Sequence, residues 1–139
     1  MERLEDCFSF LIGKAAQQVT RRTRELLAPF GVTPVQYATL YLLWRRDGLS
    51  AAELGANLVL DSATMTGIVD RLEAAGLTER RADASDRRIS RIHLTQKGAV
   101  LKNPLNKALA QLNAEIAGKL GRDSARVSQG LRRLGQRGD

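Results

Sequence analysis

Leu60-Asp61-Ser62-Ala63-Thr64-Met65-Thr66-Gly67-Ile68-Val69-Asp70-Arg71-Leu72-Glu73-Ala74-Ala75-Gly76 is the stretch from which the rest of this 139-residue chain becomes readable. Asp61 and Ser62 are side chains that accept hydrogen bonds from the unpaired N–H groups at a helix start, and Gly76 is the residue that stops one. At about 100° per residue, a helix between them puts Met65, Ile68, Val69 and Leu72 on one face. The other face shows Ala63, Thr66, Gly67, Asp70, Arg71 and Ala74, with Ser62 and Thr64 near its start. Such short side chains let a helix sink into the major groove of duplex DNA. Hydroxyls there can meet base edges or phosphates, and Arg71 can reach a guanine or a phosphate. An ordinary solvated face carries longer Glu and Lys side chains, which are sparse here.

Working outward, Ser50-Ala51-Ala52-Glu53 reads as a capping box that opens a short helix carrying Leu54 and Leu58 and ending at Val59-Leu60. Upstream, Thr33 before Pro34 starts a helix through Tyr37, Leu40, Tyr41, Leu43 and Trp44 that stops at Asp47-Gly48. Before Pro29 and Gly31, the residues Leu4, Phe8, Leu11, Ala15, Val19 and Leu26 form one apolar stripe on a long first helix. Downstream, Leu77 to Arg81 and Ile89 to Leu94 read as two strands of a hairpin around the polar stretch Ala82 to Arg88. The tip lacks Asn-Gly or Asp-Gly, so its turn type stays open. Thr95 then caps a helix through Val100, Leu101, Leu105, Leu109, Leu112 and Ile116, bent at Pro104 and ended by Gly118 and Gly121. A last helix follows Asp123, with Val127, Leu131 and Leu134 inward and Arg126, Arg132, Arg133 and Arg137 outward.

The predicted fold is therefore mainly α with a small β-hairpin wing: a winged helix-turn-helix flanked by helices at both ends. Asp86, Arg87 and Arg88 fall near the hairpin tip. An arginine there can enter a narrow minor groove, with the neighbouring aspartate orienting its guanidinium. A solvated charge run is the commoner meaning of such a cluster, and its place beside the hydroxyl-rich helix is what favours the groove.

The bulk numbers agree. Lys and Arg total 22 against 15 Asp and Glu, a net charge of +7, which suits a polyanionic partner. With 43% hydrophobic residues the chain can build one core. No stretch reaches the roughly 20 apolar residues of a membrane span, and Met1 to Asp6 is too charged for a signal peptide, so a cytoplasmic location is expected. One cysteine, Cys7, and one histidine, His93, allow neither an intrachain disulfide nor a Cys/His zinc site, so no metal or cofactor is expected. They also leave no pair for nucleophilic catalysis, and an enzyme is not expected.

Taken in order, Val32-Thr33-Pro34-Val35-Gln36-Tyr37, Ser50-Ala51-Ala52-Glu53-Leu54-Gly55, Leu60 to Thr66, Val69-Asp70-Arg71-Leu72-Glu73, Gly76-Leu77, Ser85-Asp86-Arg87-Arg88 and Leu94-Thr95-Gln96-Lys97-Gly98 resemble a MarR-family (multiple antibiotic resistance) regulator from Leu4 to about Leu134. The resemblance implies a single chain, 1–139, with a DNA-binding lobe over 33–95 and a helical dimerisation region over 1–30 and 96–139. It further implies a homodimer, most often a repressor, on a pseudo-palindromic operator in double-stranded DNA. Carried over by position, Ser62, Thr64, Thr66 and Arg71 match recognition-helix contacts, and Asp86 and Arg88 match the wing pair. Intrachain core packing is the alternative use of the terminal helices' apolar stripes.

Within the family, Leu60 to Thr66, Thr33 to Tyr37 and Cys7-Phe8 are similar to the organic hydroperoxide regulator (OhrR) subgroup, which would make Cys7 a thiol sensor of peroxide. Two of that subgroup's tyrosines are missing: Pro34 stands where one belongs, and Ala15 to Leu27 contains none. The resemblance thus leaves two modes of release from DNA, a small aromatic or phenolic effector and oxidation of Cys7. A winged-helix protein-interaction module is the alternative of another class.

Overall fold

The computed structural model describes residues 3–136, so the Arg137 assignment lies outside the described residues. A single 3-10 turn at Leu4–Asp6 precedes helix α1 (Phe8–Leu27), and α2 (Pro34–Arg45), α3 (Ala51–Leu58) and α4 (Ser62–Ala74) follow. Strand β1 (Leu49–Ser50) lies between α2 and α3, and β2 (Thr78–Ala82) and β3 (Ser90–Leu94) form the wing. The chain closes with α5 (Gln96–Val100), α6 (Lys102–Leu120) and α7 (Ser124–Gly135).

The helix starts are where local chemistry places them. Thr33 Oγ1 accepts from Gln36 N at 3.3 Å while Gln36 Oε1 accepts from Thr33 N at 3.0 Å. Ser50 and Glu53 form the same reciprocal box, at 3.1 and 3.0 Å. Between α3 and α4 the chain turns tightly: Val59 takes the left-handed conformation at φ 56°, and Leu60 N donates to Gly55 O at 2.9 Å. A Cβ on Gly55 would stand 2.9 Å from Leu60 O, so only glycine lets the turn close there.

The sheet is antiparallel in the order β1-β3-β2, with Leu49 opposite Ile92 and Arg80 opposite Ile92 on the other side. β1 was not predicted. Two residues cannot show an alternating pattern, and the strand exists because the Gly48 turn lays Leu49 beside Ile92. The hairpin strands begin one residue later than expected, and the first also ends one later.

Three further expectations are corrected. The predicted helix after Thr95 is two helices, α5 and α6, separated at Leu101. Pro104 is the cause, because its ring excludes the Val100 carbonyl and it has no N–H to continue the ladder. Gly118 lies inside α6, which ends at Gly121. Val127, Leu131 and Leu134 do not turn inward within this chain: they are 36%, 53% and 69% exposed.

The core lies in the lobe, where Leu40, Leu43, Leu54, Met65, Ile68, Val69, Leu72, Leu77 and Ile92 meet, closed by Leu27 from α1 and Leu105 from α6. No single helix among the described residues is long and apolar enough to cross a membrane.

Candidate nucleic-acid interface

Helix α4 is oriented by its own apolar face. Met65, Ile68, Val69 and Leu72 are all at most 3% exposed, which leaves Ser62, Thr64, Thr66, Asp70 and Arg71 on the surface. Asp61 anchors the start: its Oδ1 accepts from Thr64 N at 2.7 Å, and this bond holds the Asp61 carboxyl below the usual carboxylate range. Thr66 Oγ1 donates to Ser62 O at 2.8 Å. Its proton is therefore used inside the helix, leaving an exposed methyl and oxygen lone pairs as its offer to a ligand. The guanidinium of Arg71 lies back along the helix over Gly67, where an added Cβ would be 3.6 Å from Nη2.

The wing tip is built by two aspartates. Asp83 Oδ2 accepts from Ser85 N at 2.9 Å and Asp86 N at 2.8 Å, which folds the turn. Asp86 receives one edge of the Arg88 guanidinium in a bidentate pair, Nε to Oδ1 and Nη2 to Oδ2, each at 3.0 Å, and also accepts from Arg88 N. The Arg88 side chain nevertheless remains 90% exposed, so it is held in one direction while pointing into solvent. The Arg88 bond holds the Asp86 carboxyl below the usual carboxylate range, and Arg87 is exposed beside it. The structure thus brings Asp86 and Arg88 into direct contact at one tip, and sets Ser62, Thr64, Thr66 and Arg71 on one exposed helix.

Sequence reasoning missed the residues that hold these parts in place. Arg91 Nε donates to Asp83, and its Nη1 donates to Gly48 O at 3.1 Å, tying the wing to the turn before β1. The Arg91 bond is also the chief reason the Asp83 carboxyl sits low. Arg80 pairs with Asp70 and Glu73 of α4. The position of Asp83, three residues before Asp86, is a turn signature that could have been read; the partners of Arg80 and Arg91 could not.

At the far end of the lobe, Thr95 Oγ1 donates to Gly76 O at 2.6 Å, Lys97 Nζ donates to Ala75 O at 3.0 Å, and Trp44 Nε1 donates to Gly98 O at 3.0 Å. A Cβ on Gly98 would lie 2.1 Å from Leu77 O. The Leu-Thr-x-x-Gly run therefore fastens α5 to the end of α4.

Cys7 is half-buried at the N-cap of α1 rather than within the helix. Tyr37 and Tyr41 are on α2, where Tyr37 Oη donates to Asn106 Oδ1 of α6 at 2.8 Å. Among the described residues no group of three or more His, Cys, Asp or Glu side chains is placed to hold a metal ion.

Residues 32–90 match the MarR family. The chain is 40% identical over 105 residues to the HTH-type transcriptional regulator TtmR of Methylorubrum extorquens, a match covering 76% of this chain and 54% of TtmR. It is 36% identical over 100 residues to the organic hydroperoxide resistance transcriptional regulator of Bacillus subtilis, covering 72% of this chain and 68% of that one. The chain thus spans little more than half the length of the first of these relatives. Among solved structures, the transcriptional repressor CouR bound to a 23-mer DNA duplex superposes with a TM-score of 0.81 at 27% identity, over 96% of this chain and 95% of CouR. CouR from Rhodococcus jostii RHA1 bound to p-coumaroyl-CoA gives 0.78 at 28%, over 96% and 93%. These relatives are regulators of transcription and not enzymes. With a family match over the lobe and 36% identity over 72% of its length to one such regulator, the chain belongs to the MarR family of transcriptional regulators.

Proposed function

We propose that this chain is a sequence-specific repressor that binds double-stranded DNA in the cytoplasm as a homodimer on a pseudo-palindromic operator. In this reading α4 enters the major groove with Ser62, Thr64, Thr66 and Arg71, while the wing sends Arg88, steadied by Asp86 and flanked by Arg87, into the adjacent minor groove. The observation that carries it is Arg88: an arginine fixed by two bonds to one carboxylate yet almost wholly exposed is shaped for an external anion. The net charge of +7 supplies the long-range attraction.

The dimer reading is supported by the terminal helices. Phe8 is 79% exposed and Leu134 69%, and α1, α6 and α7 together line a groove of about 570 Å³ with Val19, Leu112, Ile116, Val127 and Leu131. A second copy of the chain would cover that face.

For release from DNA, the effector reading is a small aromatic or phenolic acid. Tyr37, Tyr41 and Trp44 form an aromatic cluster on α2, with centroids 6.0 to 6.1 Å apart, at the seam between lobe and arm, and CouR has been solved with p-coumaroyl-CoA. The likeness to a hydroperoxide regulator favours a second reading in which oxidation of Cys7 does the same work. Peroxide treatment of wild type and Cys7→Ser separates the two, because only a thiol sensor loses DNA on oxidation and keeps it when the sulfur is removed.

The main test is fluorescence anisotropy with the protein's own promoter fragment. Affinity should fall about a hundredfold between roughly 50 and 200 mM salt, and Arg88→Ala should weaken binding about tenfold or more. Binding that ignores both salt and Arg88 would refute the reading.

A further inference from the structure

We propose that Arg80 is a positioning residue for DNA reading: by gripping Asp70 and Glu73 together, it sets the angle between the recognition helix and the wing. The inference rests on the DNA-binding function above and adds how its two reading elements are kept in register.

Arg80 faces Ile92 across the β2–β3 ladder, so the two side chains lie on the same side of the sheet. Ile92 is 1% exposed against the core, which makes this the side that packs on α4. An arginine at an inward-facing position needs a partner where the apolar core ends, and it has two: Nη2 donates to Asp70 Oδ1 and Nη1 to Glu73 Oε2. Those carboxylates are three residues apart on one edge of α4. The planar fork presents two nitrogens in fixed directions, one to each carboxylate, whereas a lysine ammonium is a single point of charge on a flexible stem that fixes neither direction.

β2 already has one attachment to α4. Leu77 N donates to Leu72 O at 3.0 Å, and Leu77 O accepts from Thr95 N at 3.1 Å, which pins the strand where it leaves the helix. The Arg91 bond and the β1–β3 pairing tie the wing to the turn before β1, not to α4. The Arg80 fork is a second fastening farther toward the wing tip, and two separated fastenings fix an angle. That angle determines whether Arg88 meets its groove when Ser62, Thr64 and Thr66 meet theirs.

A simpler role would be shielding, since Asp70 and Glu73 are negative charges on a helix that approaches phosphates. The two roles part company in one experiment. The probes are a duplex enriched from a random-sequence library by the wild-type protein and a scrambled duplex of the same composition, with binding read by anisotropy and folding by thermal melting. In D70N/E73Q, two repulsive charges are gone, so the scrambled duplex should bind more tightly; with the fork lost, the preference for the enriched duplex should fall about tenfold. Arg80→Lys keeps the charge and should lose the same preference. Melting temperatures should move little, because exposed ion pairs contribute little to stability.

Equal tightening on both duplexes in D70N/E73Q, with the preference kept in Arg80→Lys, would overturn positioning in favour of shielding. A preference that falls only in step with the melting temperature in both variants would reduce Arg80 to a structural role and overturn it too. A wild-type protein that enriches no sequence at all would be a different failure, that of the DNA-binding function itself.

Discussion

The lobe and the helical arm treat the same residue type in opposite ways. Leu72 on α4 is completely buried, while Leu131 on α7 is 53% exposed although its helix is just as regular. In the lobe, three short helices and a sheet surround one another, so every apolar face finds a partner within the chain. In the arm, α1, α6 and α7 bury only Thr23, Leu27, Leu105 and Leu112, and the outer stripes of α1 and α7 face solvent. A fold unit that completes its own core can present a polar surface to another molecule. In the proposed dimer, the unit that leaves its apolar stripes uncovered supplies the face that a second copy covers.

The strongest way to break this contrast is to substitute the two leucines in parallel. Leu72→Ala should cost about 3 kcal/mol of folding stability, from the lost contacts and the cavity left behind, and lower the melting temperature sharply. Leu131→Asp should leave the lobe's fold intact, by circular dichroism, while sedimentation shows a monomer and DNA affinity collapses. If Leu131→Asp instead unfolded the chain without changing its association, the arm would be an ordinary core.

A smaller effect sharpens the account of the lobe. Val59 is the only non-glycine residue with positive φ among the described residues, and β-branched side chains fit that conformation poorly. It is also 65% exposed, so little packing is lost on removing it. Val59→Gly should therefore stabilise the protein by about 1 kcal/mol, after the entropic cost of glycine is set against the relief of strain. A lower melting temperature would show that the turn is not strained.

The smallest effect concerns the arm. Arg22 donates to both oxygens of Glu115 across α1 and α6, at 2.9 and 2.8 Å, and lowers the Glu115 carboxyl from its ordinary 4.5 to about 2. A depressed carboxyl stabilises the fold fully above pH 4.5, and that contribution is lost as pH falls toward 2. Wild type should lose more stability than Arg22→Ala between those values in denaturant titrations. The difference is small because both side chains are more than a third exposed. Parallel pH profiles would remove the ion pair from the account of the arm.

Much of the local structure of the candidate interface was legible from the chain. The α4 start at Asp61, the stop at Gly76, its four buried residues and the Asp86–Arg88 tip all follow from interactions that span two to four residues. The turn at the tip carries a signal other than Asn-Gly or Asp-Gly: the Asp83 side chain folds the backbone by accepting from Ser85 N and Asp86 N. β1 was invisible because it is only a two-residue strand whose pairing partner lies far along the chain. The break at Leu101 was misplaced by three residues because Pro104 acts backward, on the carbonyl four positions earlier.

From its residues alone, this chain was bound to form capped helices with apolar stripes, a charged hairpin and a basic surface, since backbone capping and side-chain periodicity operate within a turn or two. Which stripes are covered, which acids Arg80 and Arg91 grip, and how the wing stands against α4 were decided only in three dimensions. Those outcomes depend on groups brought together through space, and nothing in the spacing of residues along the chain encodes the distance between them.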